Sequence, residues 1–207
     1  MSLHLLDNNA IFFHIPRLGG RWVGAVLSKT GVRMIAHHRL GGNKNSYKEL
    51  LERDFPIENQ FLFTFVRHPV AWYRSYWACR VEKGWRVDWI DKFKADTFEK
   101  FMENMANTNR PYVSEMFYHY IGKPKMMNFV GYNENMAIDL MHILDFLNIK
   151  FDRKEILKLS PVNASILKPK CSKELIDKII NIEHKIITEY YQNTPFENYI
   201  YEFVKGT

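Results

Sequence analysis

A near-continuous apolar run, Phe61-Leu62-Phe63-Thr64-Phe65-Val66, passes directly into Arg67-His68-Pro69 and then into Val70-Ala71-Trp72-Tyr73-Arg74-Ser75-Tyr76-Trp77. A short run rich in Phe and Val fits a strand buried on both faces of a parallel sheet. Pro69 stops that strand and suits the first turn of a following helix. Arg67 is thereby expected at the carboxyl end of a buried strand, with Ser75 about two turns into the helix. Ligands of open α/β sheets bind outside the strands' carboxyl ends. A guanidinium backed by a hydroxyl and a helix N-terminus suits a phosphate there. The plainer alternative is a surface ion pair at Arg67 and a solvated Ser75, since charged strand ends are common.

A second strand-length run, Ala10-Ile11-Phe12-Phe13-His14-Ile15, leads into Pro16-Arg17-Leu18-Gly19-Gly20-Arg21-Trp22. Val23, Ala25, Val26 and Leu27 then supply apolar positions of a helix. Strand, glycine-bearing turn and helix is the order of a phosphate-binding loop, with N–H donors free at the helix start. By itself the signal is weak, because the sequence is not a Walker A motif and Gly-Gly turns are frequent.

The order of these segments resembles the PAPS-dependent sulfotransferases. Arg67-His68-Pro69 followed by Tyr73-Arg74-Ser75-Tyr76 is similar to that family's 3'-phosphate segment, in which an Arg after a strand and a Ser eight residues later hold the nucleotide. His14, Ile15, Pro16, Gly19, Gly20 and Trp22 match its 5'-phosphosulfate loop, where the family carries Lys and hydroxyl residues and this chain carries Arg17, Leu18 and Arg21. Arg17 keeps the charge but is a fixed planar fork that does not give up a proton. The resemblance spans about residues 10 to 200. It implies a P-loop-like α/β fold of three layers, with a central, mostly parallel sheet flanked by helices. It implies PAPS as the donor, bound by Arg17, Leu18, Gly19, Gly20, Arg21, Trp22, Arg67 and Ser75, and a hydroxyl acceptor, glycan or small molecule. No metal is required by it.

Val32 to Ala36 reads as another strand, ending in His37-His38. A histidine there would face the same crevice, and its near-neutral pKa suits removal of a proton from an acceptor hydroxyl. A pair of surface histidines without a role is the competing reading. Some glycan sulfotransferases carry a histidine base in this region, so the resemblance makes His37 or His38 the expected base, with Arg17 the group that offsets charge on the leaving phosphate.

Composition narrows the remaining classes. With 207 residues, 46% of them apolar, the chain suits one globular domain covering 1–207. Its net charge of +6 favours an anionic partner. Charge alone leaves nucleotide, glycan, nucleic acid and membrane surface open. No run approaches the length that spans a bilayer, and no signal peptide is evident. Cys79 and Cys171, far apart, fit a reducing compartment and set aside a structural zinc site. A cytoplasmic protein without a membrane span is therefore expected.

Further along, Tyr47 to Arg53 suggests a short helix, and Val81 to Pro124 loosens into amphipathic pieces around Trp85, Trp89, Phe98, Phe101 and Met105. The basic residues interleaved there (Arg74, Arg80, Lys83, Arg86) fit an acceptor face or a nucleic-acid patch, with core packing and a solvated basic back the favoured reading. Arg110-Pro111-Tyr112 reads as a loop. Met127 to Tyr132 is a fourth strand, followed by a helix through Met136, Leu140, Ile143 and Leu147, with Asn133 as its candidate cap. Pro161 to Lys170 is a basic loop, and Ser172 is placed to cap one long final helix.

Two other functions compete. A P-loop kinase lacks its Gly-Lys-Ser/Thr here. A catalytically degenerate relative that binds nucleotide is favoured by the missing loop Lys and Thr, while nucleic acid is the disfavoured partner and would show a steep salt dependence.

Overall fold

The structure is a computed structural model that describes residues 2–37, 57–86, 89–122, 126–160, 165–196 and 199–206. The chain divides into two compact units, Met1–Arg67 with Met116–Val162, and His68–Glu115 with Asn163–Thr207.

The first unit holds a five-stranded sheet: β1 (Ser2–Leu5), β2 (Ala10–Phe13), β3 (Met34–His37), β4 (Phe61–Val66) and β5 (Phe129–Tyr132). Their spatial order is β3-β1-β2-β4-β5. β2 runs parallel to β4, and β4 to β5, while β1 is antiparallel to both β2 and β3. Four strands thus point one way and one points back, an α/β fold with a mixed, mostly parallel sheet. Every residue of β2 is buried, as are the five from Leu62 to Val66 in β4, in keeping with their apolar composition.

Helix α1 (Gly20–Lys29) follows β2. It brings Trp22, Val23, Val26 and Leu27 against Leu3, Leu5, Phe12, Phe63 and Phe65 of one sheet face, together with Leu140, Ile143 and Leu144 of a helix over Met136–Phe146 and Ile156 of another over Arg153–Lys158. That face carries one hydrophobic core cluster of the unit. β5 is followed by a 3-10 turn at Asn133–Asn135, so the helix starts at Met136 and Asn133 does not cap it. Asn135 at the cap position makes no cap bond and donates instead to Asp139, whose other oxygen accepts from the Tyr132 N–H.

In the second unit, α2 (Pro69–Lys83) has Pro69 in its first turn and His68 as N-cap, the ring nitrogen accepting from the Val70 N–H at 3.3 Å. α3 (Phe98–Asn107) is capped by Thr97. Trp72, Tyr73, Tyr76, Trp77, Phe98, Phe101, Met102 and Met105 are buried, so the aromatic stretch is core, with Trp89 the exposed exception. Asp91, buried at the 3-10 turn Trp89–Phe93, accepts from Tyr76 Oη and from Arg80 Nε at 2.9 Å. Tyr112 opens a helix, Tyr112–Ile121, where the sequence suggests a loop.

The single final helix expected from the sequence is two, Lys173–Ile182 and His184–Tyr190, separated at Glu183. Glu183 is fully buried and accepts four hydrogen bonds, from Tyr73 Oη at 2.8 Å, Val113 N at 2.9 Å, Ser114 N at 2.9 Å and Ser114 Oγ at 2.6 Å. Ser172 sits at the N-cap without a side-chain cap bond. Cys79 and Cys171 are both free thiols. Among the described residues, no helix is long and apolar enough to cross a membrane. The helix expected at Tyr47 to Arg53, and Pro161 to Ala164 of the basic loop, lie outside the described residues.

Candidate functional site

Strand order locates a site before any side chain is considered. β2 connects through α1 to β3 on one side of the sheet, whereas β5, the strand after β4, lies on the other. The parallel neighbours β2 and β4 therefore flank a topological switch point, where the connections diverge and leave a crevice at the carboxyl ends. The residues that leave those ends are His14 to Gly20 from β2 and Arg67 from β4.

The loop after β2 has an unusual backbone. Arg17 has φ of 69° and Gly19 φ of 75°, while Leu18 between them is not in the positive region. Alternating signs of φ are a feature of the backbone nests that bind anions. For a non-glycine residue the left-handed region costs about 1–2 kcal/mol, and strain of this kind concentrates at functional sites.

Gly19 is also the N-cap of α1, its carbonyl accepting from Trp22 N at 2.8 Å and Val23 N at 3.1 Å. The N–H groups of Gly20 and Arg21 come before these and are the first-turn donors that a helix leaves without an intrahelical acceptor. The first turn carries no acidic residue to occupy them. Gly19 is favoured by its φ of 75°, which strains a residue with a Cβ, whereas at Gly20 a Cβ would meet the His14 ring, 2.1 Å from Cδ2.

Arg67 closes the crevice from the β4 side. Its Nη1 donates to the Arg17 carbonyl at 3.2 Å, and its Nε is buried without a hydrogen-bond partner. A buried guanidinium nitrogen left unsatisfied is costly, and it is the kind of donor that a ligand completes.

His14 stands at the start of the same loop, its ring against Gly20 and stacked with Phe12 at 6.1 Å between centroids. Burial first, then the positive charges of the chain's amino group and Arg21, lower its pKa to about 4. The imidazole is thus neutral at neutral pH. In the sequence His14 stands out only as a motif match, and the signal that could have singled it out is a polar ring ending an otherwise apolar strand.

The other expected site residues divide. Leu18 is buried, so it contributes backbone to the loop and side chain to the core. Trp22 is a core residue whose indole donates to the Leu159 carbonyl at 3.1 Å and whose own N–H is taken by Gly19, so it offers the loop no donor. Arg21 is exposed on the first turn of α1. His37 ends β3, level with Phe13 because both pair with Ser2. β1 lies between, which puts the His37 backbone roughly 10 Å from β2 at the usual strand spacing. His38 lies outside the described residues. Ser75 is half-buried on α2, in the second unit. No group of His, Cys, Asp or Glu among the described residues is arranged to hold a metal ion.

Compared with models of protein families, with curated proteins and with solved structures, the chain matches none.

Proposed function

We propose that this protein is a cytoplasmic PAPS-dependent sulfotransferase, built on a three-layer P-loop-like fold and transferring a sulfuryl group to a hydroxyl acceptor. The observation that carries the reading is the switch-point crevice. A left-handed loop, a helix N-terminus and the Arg67 guanidinium converge there, and Arg67 has a buried donor to spare. Loop donors of this kind suit an anion that develops charge during reaction. The 3'- and 5'-phosphates of PAPS are carried on one ribose, which suits cationic groups placed side by side at adjacent strand ends.

In this reading the N–H groups of Leu18 to Arg21 and the Arg17 side chain hold the 5'-phosphosulfate, while Arg67 and, by its spacing in sequence, Ser75 hold the 3'-phosphate. The acceptor oxygen attacks sulfur in line, forming the new S–O bond as the bond to the bridging phosphate oxygen breaks. Arg17 offsets the charge left on that oxygen, and the hydroxyl proton passes to His37 or His38. The free thiols Cys79 and Cys171 accord with a reducing compartment.

Calorimetric titration with adenosine 3',5'-bisphosphate, beside ATP and beside Arg67→Ala, tests the donor site. Micromolar binding of the bisphosphate, absent for ATP and lost in Arg67→Ala, supports it. Binding without turnover across an acceptor screen favours the degenerate relative. No binding overturns the reading.

A further inference from the structure

The loop that ends at α1 has three arginines to offer an anion, Arg17, Arg21 and Arg67, and beside them a group whose charge is not fixed. The His14 ring lies against the Cα of Gly20, the first residue of α1, so close that Cγ, Cδ2 and Nε2 all fall within 2.4 Å of where a Cβ would stand. It therefore packs on the first turn, at the positive end of the helix. Among the described residues no hydrogen bond engages either ring nitrogen. The charges acting on the ring are those of the chain's amino group and of Arg21, both positive, and with burial they keep the free protein's imidazole neutral.

An anion in the loop reverses that balance. Two or more negative charges a few ångströms from a half-buried ring favour its charged form, as an opposite charge at that range does for any titratable group. The arginines cannot respond in this way, because they are protonated throughout. We propose that His14, packed on the first residue of α1 beside the loop, is a further donor-binding residue, and that binding of a polyanionic nucleotide there is accompanied by proton uptake at its ring. This inference rests on the assignment of the loop as the phosphosulfate site, and it adds a binding role for His14.

Proton uptake is measured by calorimetric titration of the full chain with adenosine 3',5'-bisphosphate at pH 6, in cacodylate and in Bis-Tris, which differ in ionisation enthalpy. His14→Asn, run in parallel, removes the ligand phosphates' own protonation from the comparison. Its fold is checked by circular dichroism, and wild-type protein at pH 8 serves as a second reference that needs no substitution. On binding, the wild type is expected to take up at least roughly half a proton more than the His14→Asn protein does. The ratio of wild-type to His14→Asn affinity is expected to fall from pH 5 to pH 8. Equal uptake in the two proteins, or an affinity ratio flat with pH, overturns the role of His14 and leaves the donor site standing. Inorganic pyrophosphate supplies a separate arm. If it binds with His14-dependent proton uptake while the bisphosphate does not bind, the proton-linked anion contact of His14 stands, while its role toward a nucleotide donor and the sulfotransferase assignment fail. If neither binds, both fail.

Discussion

Arg67, one residue beyond β4, donates through Nη1 to the carbonyl oxygen of Arg17, 3.2 Å away in the loop beyond β2. The bond joins the two sides of the switch-point crevice and holds the backbone of a left-handed arginine. Arg67→Ala is expected to weaken bisphosphate binding at least tenfold, since a charge-assisted contact is worth about 1.5–3 kcal/mol. Arg67→Lys keeps the charge but loses the fork that reaches the carbonyl and the ligand together, so it is expected to recover only part of the affinity. Titration of both proteins reads this out. Full affinity in Arg67→Lys would mean that Arg67 acts only as a point charge.

Gly20→Ala puts a methyl group into the His14 ring, 2.1 Å from Cδ2. Overpacking of this kind is expected to cost about 1–3 kcal/mol in urea unfolding. Because the clash is with one side chain, His14→Ser combined with Gly20→Ala should restore most of the loss. Additive losses when the two are combined would show that Gly20 is needed for another reason.

Much of the fold is legible in apolar runs, because β2 and β4 are buried on both faces and carry one polar residue between them, Thr64, whose hydroxyl donates to the Phe13 carbonyl. β1 is not, because Ser-Leu-His-Leu is too short to signal a strand and its place depends on pairing with β2 and β3. The loop is visible from its glycines, but Arg17 in the left-handed region is not, since sequence says nothing of φ at an arginine. Trp22 looks like part of the loop because it follows the motif, whereas the 3.6-residue period turns it into the core. The break at Glu183 is equally hidden. The buried carboxylate at the break is held by donors about 70 and 110 residues away, and no local pattern carries that.

Two neutral histidines should make the protein sensitive to acid. Burial lowers the pKa of His68 from 6.5 to about 3, and its ring nitrogen accepts the Val70 N–H, a role that protonation ends. With the folded pKa below the unfolded one, the unfolded chain binds the proton first. Stability is therefore complete above pH 6.5 and falls as the pH drops toward 3. At pH 5 the loss from His68 is about 2 kcal/mol. His14 acts in the same direction down to about pH 4. His68→Asn, which can still cap a helix, should lose part of this acid sensitivity. A stability curve unchanged in slope between pH 6.5 and 4 in His68→Asn would contradict the assignment.

Glu183 has the opposite sign. Burial raises its carboxyl above the ordinary 4.5 even though four donors favour the ionised form. The folded protein then keeps a proton that the unfolded chain has released, so this stabilising contribution is present at low pH and is lost as pH rises from 4.5 through the folded value. Glu183→Gln turns an amide NH2 toward either the Val113 N–H or the Ser114 N–H, each a donor only, even where the neighbouring hydroxyl turns to accept. Leaving such groups unsatisfied is expected to cost about 1–3 kcal/mol. Urea unfolding of wild type and Glu183→Gln at pH 5, 6.5 and 8 measures both effects. The gap between them should be widest at pH 5 and narrow toward pH 8, because only the wild type loses a proton over that interval. A gap that widens with pH would mean that the four hydrogen bonds outweigh burial, and that Glu183 is a stabilising carboxylate at the junction of the two final helices.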